Sequence, residues 1–525
     1  MNLLERTIGV FNPGKALKMI EAREKLKMFT QNQKIMNKGY GEHGASSRKK
    51  SLRGWFASPG GVKNDIYNYR EKLVARSRDL YMGAPLANGA LNTMKINAIG
   101  SGLKLKSSID SNITGLSEND TELLENKIEK EFELWSNSKI DQTGLYNFYE
   151  IQDLVFLTTL LNGECFIHLN YFVTPDNPYS LKLSVIEPDR VNTPNTKSSD
   201  VTVVQGVQFN KNGRIEGYYI QEQNPNDEVK GTNQHRYIKT YGSENQLNII
   251  HLTTAERPGQ VRGVPILAPV MESLKQLDRY TNAELTSAII SSMFTIFIES
   301  TDIPQTNIGD LSNVSDDESV ASGETSTLEM SSGAIVTLNK GEKANSVNPA
   351  RPNAQFDPFM TAIIRQIGSS LGIPYELMIM HFTSSYSASR AALLEAWKTF
   401  RKKREWFAKN FCQTVYEEWL REAVLLARIE IKNFEEDILI KKAYSGAIWS
   451  GTSQGQLDPQ REVKASILRI NAGLSTRSRE TIELNGGDFE QNIKILAKEQ
   501  KIANEKGVIL DGTIYTEPPN NEPEE

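Results

Sequence analysis

The sequence predicts a multidomain α+β protein with a mainly antiparallel sheet. Apolar residues repeat with a helical period between positions 66 and 161, and residues 164–252 change to the period of two that is typical of strands. The helical period returns after residue 265 and continues to about residue 500. With 38% hydrophobic and 24% charged residues, the 525-residue chain has the composition of a soluble globular protein.

Four helices are expected before the sheet. The apolar spacing predicts them at residues 66–82, 85–99, 119–135 and 151–161. Gly100-Ser-Gly102 ends the second helix and Asn162-Gly163 ends the fourth, because glycine readily adopts the left-handed conformation that closes a helix.

Six short segments of alternating or β-branched residues predict the strands. Turn clusters such as Lys211-Asn-Gly213 separate them. The predicted strands are residues 165–169, 181–185, 201–204, 207–209, 218–220 and 249–252.

The second half of the chain is predicted to be helical around one polar insertion. Pro265 opens a helix that extends to about Met293, and residues 301–331 then contain seven acidic residues and no basic one. A short strand at 333–341 and a helix at 357–371 follow. After a polar loop at 381–389, a helix of about forty residues is expected at 390–429. The last predicted helices are 459–472, 476–484 and one that starts at Phe489.

Charge and cysteine content exclude several classes of protein. The net charge of -5 excludes an overall basic coat for nucleic acid, although residues 1–53 carry twelve basic and four acidic residues. This arm is polar enough that we expect it to be partly disordered. Two cysteines, Cys165 and Cys412, indicate a reducing compartment. The longest apolar run, residues 288–298, is too short to span a bilayer.

Catalytic motifs are weak. The segment from Gly9 to Ala16 fits a phosphate-binding loop, but Ala16 replaces the hydroxyl residue that would bind magnesium, and no buried strand precedes it. Cys165 and His168 would point to opposite faces of one strand and cannot form a nucleophile pair. We therefore predict no enzyme activity, no cofactor and no metal site.

The residues around position 390 are more informative. Six polar residues in the loop just before the long helix suit a sliding contact with a polyanion, because hydroxyl groups bind phosphate weakly and without reading sequence. They are Thr383, Ser384, Ser385, Tyr386, Ser387 and Ser389. Basic residues follow at Arg390, Lys398, Arg401 and Lys402. Either they form a solvated helix face, or they face phosphates or the acidic residues of a neighbouring subunit.

Five groups of residues, taken in chain order, form a pattern that is distinctive as a set. They are Ala75-Arg-Ser-Arg-Asp79-Leu80 with Pro85-Leu-Ala87, Gly89-Ala-Leu-Asn92 and Asn97-Ala-Ile-Gly-Ser-Gly-Leu103; Gly163-Glu164 with Ile186-Glu-Pro-Asp-Arg190; Ile250-His-Leu252 with Glu256-Arg-Pro-Gly-Gln260 and Arg262-Gly-Val-Pro265; Leu371-Gly-Ile-Pro-Tyr-Glu-Leu377 with Tyr386-Ser-Ala-Ser-Arg-Ala391; and Trp449, Leu457-Asp-Pro459, Glu462, Ala465, Gly473-Leu-Ser-Thr476 and Gly487-Asp488.

Together these five groups resemble the portal (head–tail connector) proteins of tailed phages, specifically the lambda-type family. The resemblance implies a ring of subunits, normally twelve, around a DNA channel. It divides the chain into a basic arm (1–55), an α+β wing (56–263), a first stem helix (264–298), a clip (299–348) and a second stem helix (349–373). A tunnel loop (374–389), a long wing helix (390–429), a C-terminal wing and crown (430–500) and an acidic disordered tail (501–525) follow. The hydroxyl residues named above would then line the channel.

The resemblance also implies a function and partners. A portal occupies one capsid vertex of the virion, docks the terminase large subunit during packaging in the host cytoplasm, and later connects head to tail and releases DNA. Further implied partners are double-stranded DNA bound without sequence preference, major capsid and scaffold proteins, and neck proteins, with no membrane. The acidic clip residues expected at the docking end are Asp310, Asp316, Asp317, Glu318 and Glu324.

Two alternatives remain open at this point. A metal-dependent nucleic-acid-processing enzyme would need carboxylates that converge on a cation. The candidates in the sheet region are Asp153, Glu164, Glu187 and Asp189. A neck or adaptor protein without DNA contact is the second alternative, although it would not require an insertion between two stem helices.

Overall fold

The computed structural model describes residues 13–35, 50–51, 54–57, 59–175, 177–226, 234–292, 296–300, 342–346, 355–382, 385–455 and 458–506. The chain separates into two compact units, residues 1–61 and residues 62–525. The first unit contains helix α1, Pro13–Ile35. This helix covers part of the arm that we expected to be partly disordered, and most of the remaining arm lies outside the described residues, so the expectation stays a prediction.

The second unit begins with helices that precede the three- and four-stranded sheets. A π-helical turn at Lys63–Tyr67 leads into the first of them. The helices are α2 Asn68–Gly83, α3 Pro85–Ala98, α4 Ser111–Thr114, α5 Glu118–Asn137 and α6 Phe148–Asn162. The four predicted helices are confirmed, with ends that move by a few residues. Asn147 and Glu150 form a capping box that starts α6 three residues earlier than the apolar pattern suggested.

The strands form four antiparallel sheets in the described residues, with the orders β1-β11, β9-β10, β3-β2-β8 and β4-β5-β6-β7. Their bounds are β1 Lys104–Ser107, β2 Glu164–Tyr171, β3 Leu181–Ile186, β4 Val203–Val204, β5 Val207–Phe209, β6 Ile215–Gln221, β7 His235–Lys239, β8 Ile249–Thr253, β9 Ile296–Ser300, β10 Glu342–Ser346 and β11 Ala447–Ser450. The six predicted strands are confirmed in position, with β4 reduced to two residues. Strands β1, β7, β9, β10 and β11 were not predicted.

Strand β2 explains how two cores form. Cys165, Ile167 and Leu169 belong to the main core, whereas Phe166 on the opposite face belongs to a second core between the three- and four-stranded sheets. This alternation follows from the period of two along a strand. It confirms the prediction that Cys165 is a core residue on the face opposite His168.

Two helices flank the acidic insertion. They are α7, Met271–Ser292, which follows a 3-10 turn at Ala268–Val270, and α8, Phe356–Leu371. They contact each other through Tyr280, whose ring stacks on Phe356 with 5.5 Å between centroids. The helix predicted from Pro265 therefore starts six residues later, at Met271, and residues 296–298, assigned to the first stem helix, belong to strand β9. The predicted strand at 333–341 lies outside the described residues.

The C-terminal part of the chain is mainly helical. Its long helix starts at Tyr386, four residues earlier than predicted. Its elements are α9 Tyr375–Met378, α10 Tyr386–Phe407, a π-helical stretch Ala408–Cys412, α11 Gln413–Leu425, α12 Ile438–Tyr444, α13 Pro459–Asn471, α14 Arg477–Asn485 and α15 Phe489–Lys506. The length of the long helix is confirmed at about forty residues, but its predicted span of 390–429 was wrong because it runs from Tyr386 to Leu425. Residues 501–506 are helical, so the expected disorder does not hold for them. Among the described helices, none is both long and apolar enough to cross a membrane.

Candidate functional site: the head of helix α10 and a charged junction in the wing

The polar segment predicted to form the tunnel loop is divided between a loop and a helix. Thr383 and Ser384 lie outside the described residues. Ser385 occupies the N-cap position, and Tyr386, Ser387 and Ser389 lie in the first turn of α10. The assignment of these last three residues to a loop was therefore wrong. Their role in lining a channel stays a prediction.

Ser385 and Ser387 are exposed, and the side chain of Ser385 makes no capping hydrogen bond. Buried Ala396 and Phe400, roughly three to four helical turns after Ser385, join the main core. The structure thus anchors α10 in the core while its head presents small hydroxyl groups to the surface.

The basic residues of α10 pair with acidic side chains of the same chain. Arg390 contacts Glu462 of α13 at 3.1 Å. Lys398 contacts Glu395 at 2.6 Å, and Arg401 lies 3.2 Å from Glu405 and 3.7 Å from Glu483 of α14.

Lys402 is exposed on the same helix. Acids of the same subunit thus already contact three of the four predicted basic residues. Contact of any of the four with DNA or a neighbour stays a prediction.

Arg404 on this helix has a different role. Its guanidinium donates hydrogen bonds to the carbonyl oxygens of Ala98 at 2.8 Å, Asn97 at 2.9 Å and Thr452 at 2.7 Å. The last carbonyls of a helix have no partner within the helix, so Arg404 caps the C-terminal end of α3. Burial, together with Arg401, lowers the pKa of Arg404 to about 10, which leaves it charged at neutral pH.

A second set of charged residues lies between positions 70 and 262 of the chain, centred on Glu164. The Glu164 carboxylate is fully buried and pairs with Arg70 of α2 and with Arg262, whose Nε donates at 2.8 Å. The Gly263 amide donates to the same carboxylate at 2.9 Å, and His251 Nε2 lies 3.3 Å from it. Burial raises the pKa of Glu164, but Arg262, Arg70 and His251 outweigh burial and hold that pKa far below its usual range.

Arg262 extends this junction to the second core. Its guanidinium is completely buried and donates to the carbonyl oxygens of Val191 at 2.7 Å and Pro188 at 2.9 Å, and also to Gln205. It also lies over the ring of Phe166, 5.3 Å from the centroid. Because its donors are satisfied by three separate segments, Arg262 fixes the loop after β8 against the region between β3 and β5.

Arg78 completes the junction from helix α2. It contacts Asp189 at 2.6 Å and Glu187 at 2.7 Å, and its Nε donates to Asn162 at 2.8 Å. We define the charged junction as Arg70, Arg78, Arg262, Glu164, Glu187 and Asp189, in which three positive charges balance three negative ones.

His251 contributes no charge to this balance. Burial lowers the pKa of His251 although Glu164 opposes the shift, so this histidine is neutral.

The glycines beside the junction allow the backbone to close around it. A Cβ atom on Gly263 would lie 2.0 Å from the carbonyl oxygen of Gly163, and one on Gly163 would lie 2.3 Å from the backbone of Val264. Gly163 also has a φ of +81°, in the left-handed region. Side chains at these positions would separate the two segments that carry Glu164 and Arg262.

This geometry argues against a metal site built from the candidate carboxylates. Glu164, Glu187 and Asp189 are engaged by arginines, and Asp153 pairs with Lys95 at 2.8 Å. No group of three or more histidine, cysteine or carboxylate side chains with metal-binding geometry occurs in the described part of the chain.

The acidic residues assigned to docking cannot be placed in the same way. Asp310, Asp316, Asp317, Glu318 and Glu324 all lie outside the described residues. The structure does define where their segment leaves and returns, because Ser300 of β9 pairs with Glu342 of β10. The insertion between α7 and α8 therefore begins and ends at one antiparallel strand pair.

Comparison with known proteins explains this combination of elements. The model of the phage portal protein, lambda family, matches residues 48–404, well over half of the chain. The chain belongs to this portal family. Portal protein B of Escherichia phage lambda is 24% identical over 439 residues, which cover 79% of this chain and 81% of the relative. The portal protein of Escherichia phage N15 is 23% identical over 462 residues, which cover 84% and 86%.

Solved structures include similar chains in gene transfer agent particles. A chain from the virion of a native particle is 13% identical, with a TM-score of 0.41, covering 79% of this chain and 93% of that one. A chain from the neck of a native particle has a TM-score of 0.40 with the same coverage.

The residues that marked the portal family in the sequence meet at the charged junction. Arg78, Gly163-Glu164, the turn containing Glu187 and Asp189, and Arg262-Gly263 come from three of the five groups of residues. In this chain these residues contact one another, so their positions are accounted for by the packing of α2, β2 and the loops that follow β3 and β8.

Sequence reasoning missed Arg70, His251 and Arg404 as structural residues. Arg70 gave a readable signal, since it lies between Ile66 and Val74 on the apolar face of its helix, where a charged residue requires a buried partner. Arg404 gave none, because it is one of several basic residues in a row.

Proposed function

We propose that the protein forms the ring-shaped DNA channel at one capsid vertex of a phage particle. It would dock the terminase large subunit during packaging, then join head to tail and serve as the route of DNA ejection. The observation that carries this proposal is the match of the lambda-family portal model to residues 48–404. The insertion between α7 and α8, which starts and returns at one strand pair, supports it because a portal clip is inserted between stem helices.

In this proposal the protein is a conduit and not an enzyme. The net charge of -5 per subunit gives a ring of twelve a total of about -60, and such a ring holds duplex DNA weakly because phosphate attraction supplies most non-specific affinity. The hydroxyl groups at the head of α10 would form the constriction. Basic residues Arg390 and Arg401 are already paired with acids of α13 and α14, which supports low friction at this point.

The further partners in this proposal are the major capsid and scaffold proteins and the neck proteins. The protein would act in the host cytoplasm during assembly and remain in the virion. Deletion of residues 310–324 should leave rings intact, since a polar insertion costs little folding free energy, and should reduce packaging or tail joining. Loss of the ring itself would contradict the assignment of this segment to the clip.

Assembly is the first experiment. Light scattering and negative-stain imaging of the purified protein should show a large homo-oligomer with a central hole. A monomer across a range of salt and protein concentrations would contradict the proposal.

The second experiment tests the constriction. Replacing Ser384 and Ser385 with arginine should leave assembly unchanged and impair packaging of full-length DNA, because each ring gains a belt of phosphate-binding groups. The matched control replaces Ser198 and Ser199, an exposed serine pair in the wing, with arginine. Packaged DNA length in particles built with each variant is the measurement. Full-length packaging with the Ser384/Ser385 variant would show that this loop is not the constriction.

A further inference from the structure

A small cleft lies between the three-stranded and the four-stranded sheets. Its volume is about 270 Å³, and most of its lining comes from strands β2 and β3 on one side and β6 and β7 on the other. None of the described residues that line it belongs to the charged junction or to α10. Because a water molecule takes up roughly 30 Å³ in the liquid, the cleft can hold a polyatomic ion together with several waters.

The cleft continues the second core at one end of the two sheets. On β2, Phe166 belongs to that core, and the period of two places His168 on the same face, one step further along. The same step leads from the core residue Ile238 to Arg236 on β7. Ser184 of β3 lies directly opposite His168 in the register of the sheet. Positions that face the other sheet therefore change here from apolar to polar.

Three of these polar side chains have donors that the protein does not use. In the part of the chain that the structure describes, the side chains of His168, Ser184 and Arg236 form no hydrogen bond and no ion pair. A polar group at the border of a core loses contact with water, and this costs free energy unless a hydrogen bond replaces it. A ligand that accepts hydrogen bonds would supply the missing partner.

The lining of the cleft is positively charged. Arg190 and Arg236 contribute two guanidinium groups, and among the described lining residues Glu222 is the sole acid. Arg190 is held in place because its Nε donates to the Gln221 carbonyl at 2.9 Å and its Nη2 to the Glu222 carbonyl at 2.8 Å. These two bonds leave its third nitrogen, Nη1, for a ligand.

His168 adds a donor without adding charge. Burial, together with Arg236, lowers the pKa of His168 to about 4, so the imidazole is neutral at pH 7 and donates one N–H. The donors come from both walls of the cleft, whereas a carboxylate presents its two oxygens to one side. An ion with oxygens in several directions, all of them acceptors, matches this arrangement better.

We propose that this cleft binds a small tetrahedral oxyanion, of the size of inorganic phosphate, through Arg190, Arg236, His168 and Ser184. The ion would link the three-stranded sheet to the four-stranded sheet at the end where the second core stops. This inference holds independently of the proposed portal function.

Calorimetric titration of the full-length protein with inorganic phosphate tests the proposal. At pH 7 and constant ionic strength in chloride buffer, we expect saturable binding of one phosphate per subunit and no comparable binding of acetate. Arg236→Gln should weaken phosphate binding at least about ten-fold, because charge-assisted hydrogen bonds are lost. The matched control is Arg214→Gln, which removes the same charge from an exposed residue at the other end of β6 and should bind phosphate like the natural chain.

A second variant tests the sign of the charge effect. Glu222→Gln removes the acid from the described lining, so it should bind phosphate more tightly, a gain that misfolding cannot produce. Its control is Glu216→Gln, an exposed residue of β6 outside the cleft, which should leave the affinity unchanged.

Three results would overturn the proposal. The first is an absence of saturable phosphate binding to the natural chain. The second is equal weakening by Arg236→Gln and Arg214→Gln, because the attraction would then come from overall charge and not from the cleft. The third is an affinity that stays the same or falls in Glu222→Gln.

Discussion

The charged junction around Glu164 and the outer face of helix α10 use the same residue types in opposite ways. At the junction, Glu164 and Arg262 are fully buried, and their partners come from segments up to about a hundred residues apart. On α10, Lys398 and Glu395 form a contact three residues apart with side chains that are 73% and 71% exposed. A buried charge must keep its partner because it cannot return to water, whereas an exposed charge remains solvated without one.

The contrast separates charged residues that are fixed by the packing of the chain from charged residues that can change without disturbing it. The junction joins α2, β2, the turn after β3 and the loop after β8, so a change in any one of them affects the others. The face of α10 can vary without disturbing the core. We therefore expect the charged junction to tolerate little change at its charges and the outer face of α10 to tolerate much.

The largest effect is expected for Glu164→Gln. This variant leaves Arg70 and Arg262 buried without a counter-charge, and breaking a buried pair in this way costs about 3–5 kcal/mol. Denaturant unfolding of the full-length protein measures the loss. The control is Glu395→Gln on α10, which should leave the midpoint unchanged. If Glu164→Gln and Glu395→Gln have equal unfolding midpoints, the buried junction and the face of α10 do not differ in how they depend on their charges.

Arg404→Lys should have an intermediate effect, since Arg404 lies on α10 but acts inside the structure. A lysine cannot reach the carbonyls of Asn97, Ala98 and Thr452 together, and losing charged hydrogen bonds costs about 1.5–3 kcal/mol. Lys402→Arg, two residues away and exposed, is the control. Thermal unfolding of the two variants is the measurement. If Arg404→Lys has the same unfolding midpoint as the natural chain, the cap on α3 is dispensable.

A smaller effect should appear with pH at the junction. Because the folded pKa of His251 is lowered, the unfolded state binds more protons just below pH 6.5, and stability falls as the pH drops through this window. The maximum slope from one such group is about 1.4 kcal/mol per pH unit. Stability curves from pH 5 to 8 for the natural chain and for His251→Gln test this. If the His251→Gln variant keeps the full slope of stability against pH, that slope comes from other titratable groups.

The smallest effect is expected for Lys398→Gln combined with Lys402→Gln. Both side chains are exposed, so the free energy of unfolding should stay within experimental error of the natural value. Chemical denaturation is again the measurement. A clear loss of stability would mean that the outer face of α10 is as constrained as the wing.

The sequence by itself determined most of the longer helices, most strands of the two central sheets and the family, because each depends on residues close together in the chain. Periodicity places α3, α5 and α6 within a few residues, and the alternation in β2 assigns Cys165 to the core. The start of α10 was predicted four residues late because Ser387 and Ser389 have the composition of a loop, while the buried residues that hold the helix lie further along it.

Only the tertiary structure decided which distant segments meet. Strands β1 and β11 are four residues each and lie more than three hundred residues apart, so neither carries a pattern that names its partner. The same holds for Arg404 and the end of α3, and for Arg70 and Arg262 around Glu164. A local sequence pattern indicates whether a residue is buried, but it does not identify the partner of that residue. The partner is fixed only when the chain packs. Burial makes an unpaired charge or backbone group costly, and this cost is the same whether the partner is near or far in the sequence.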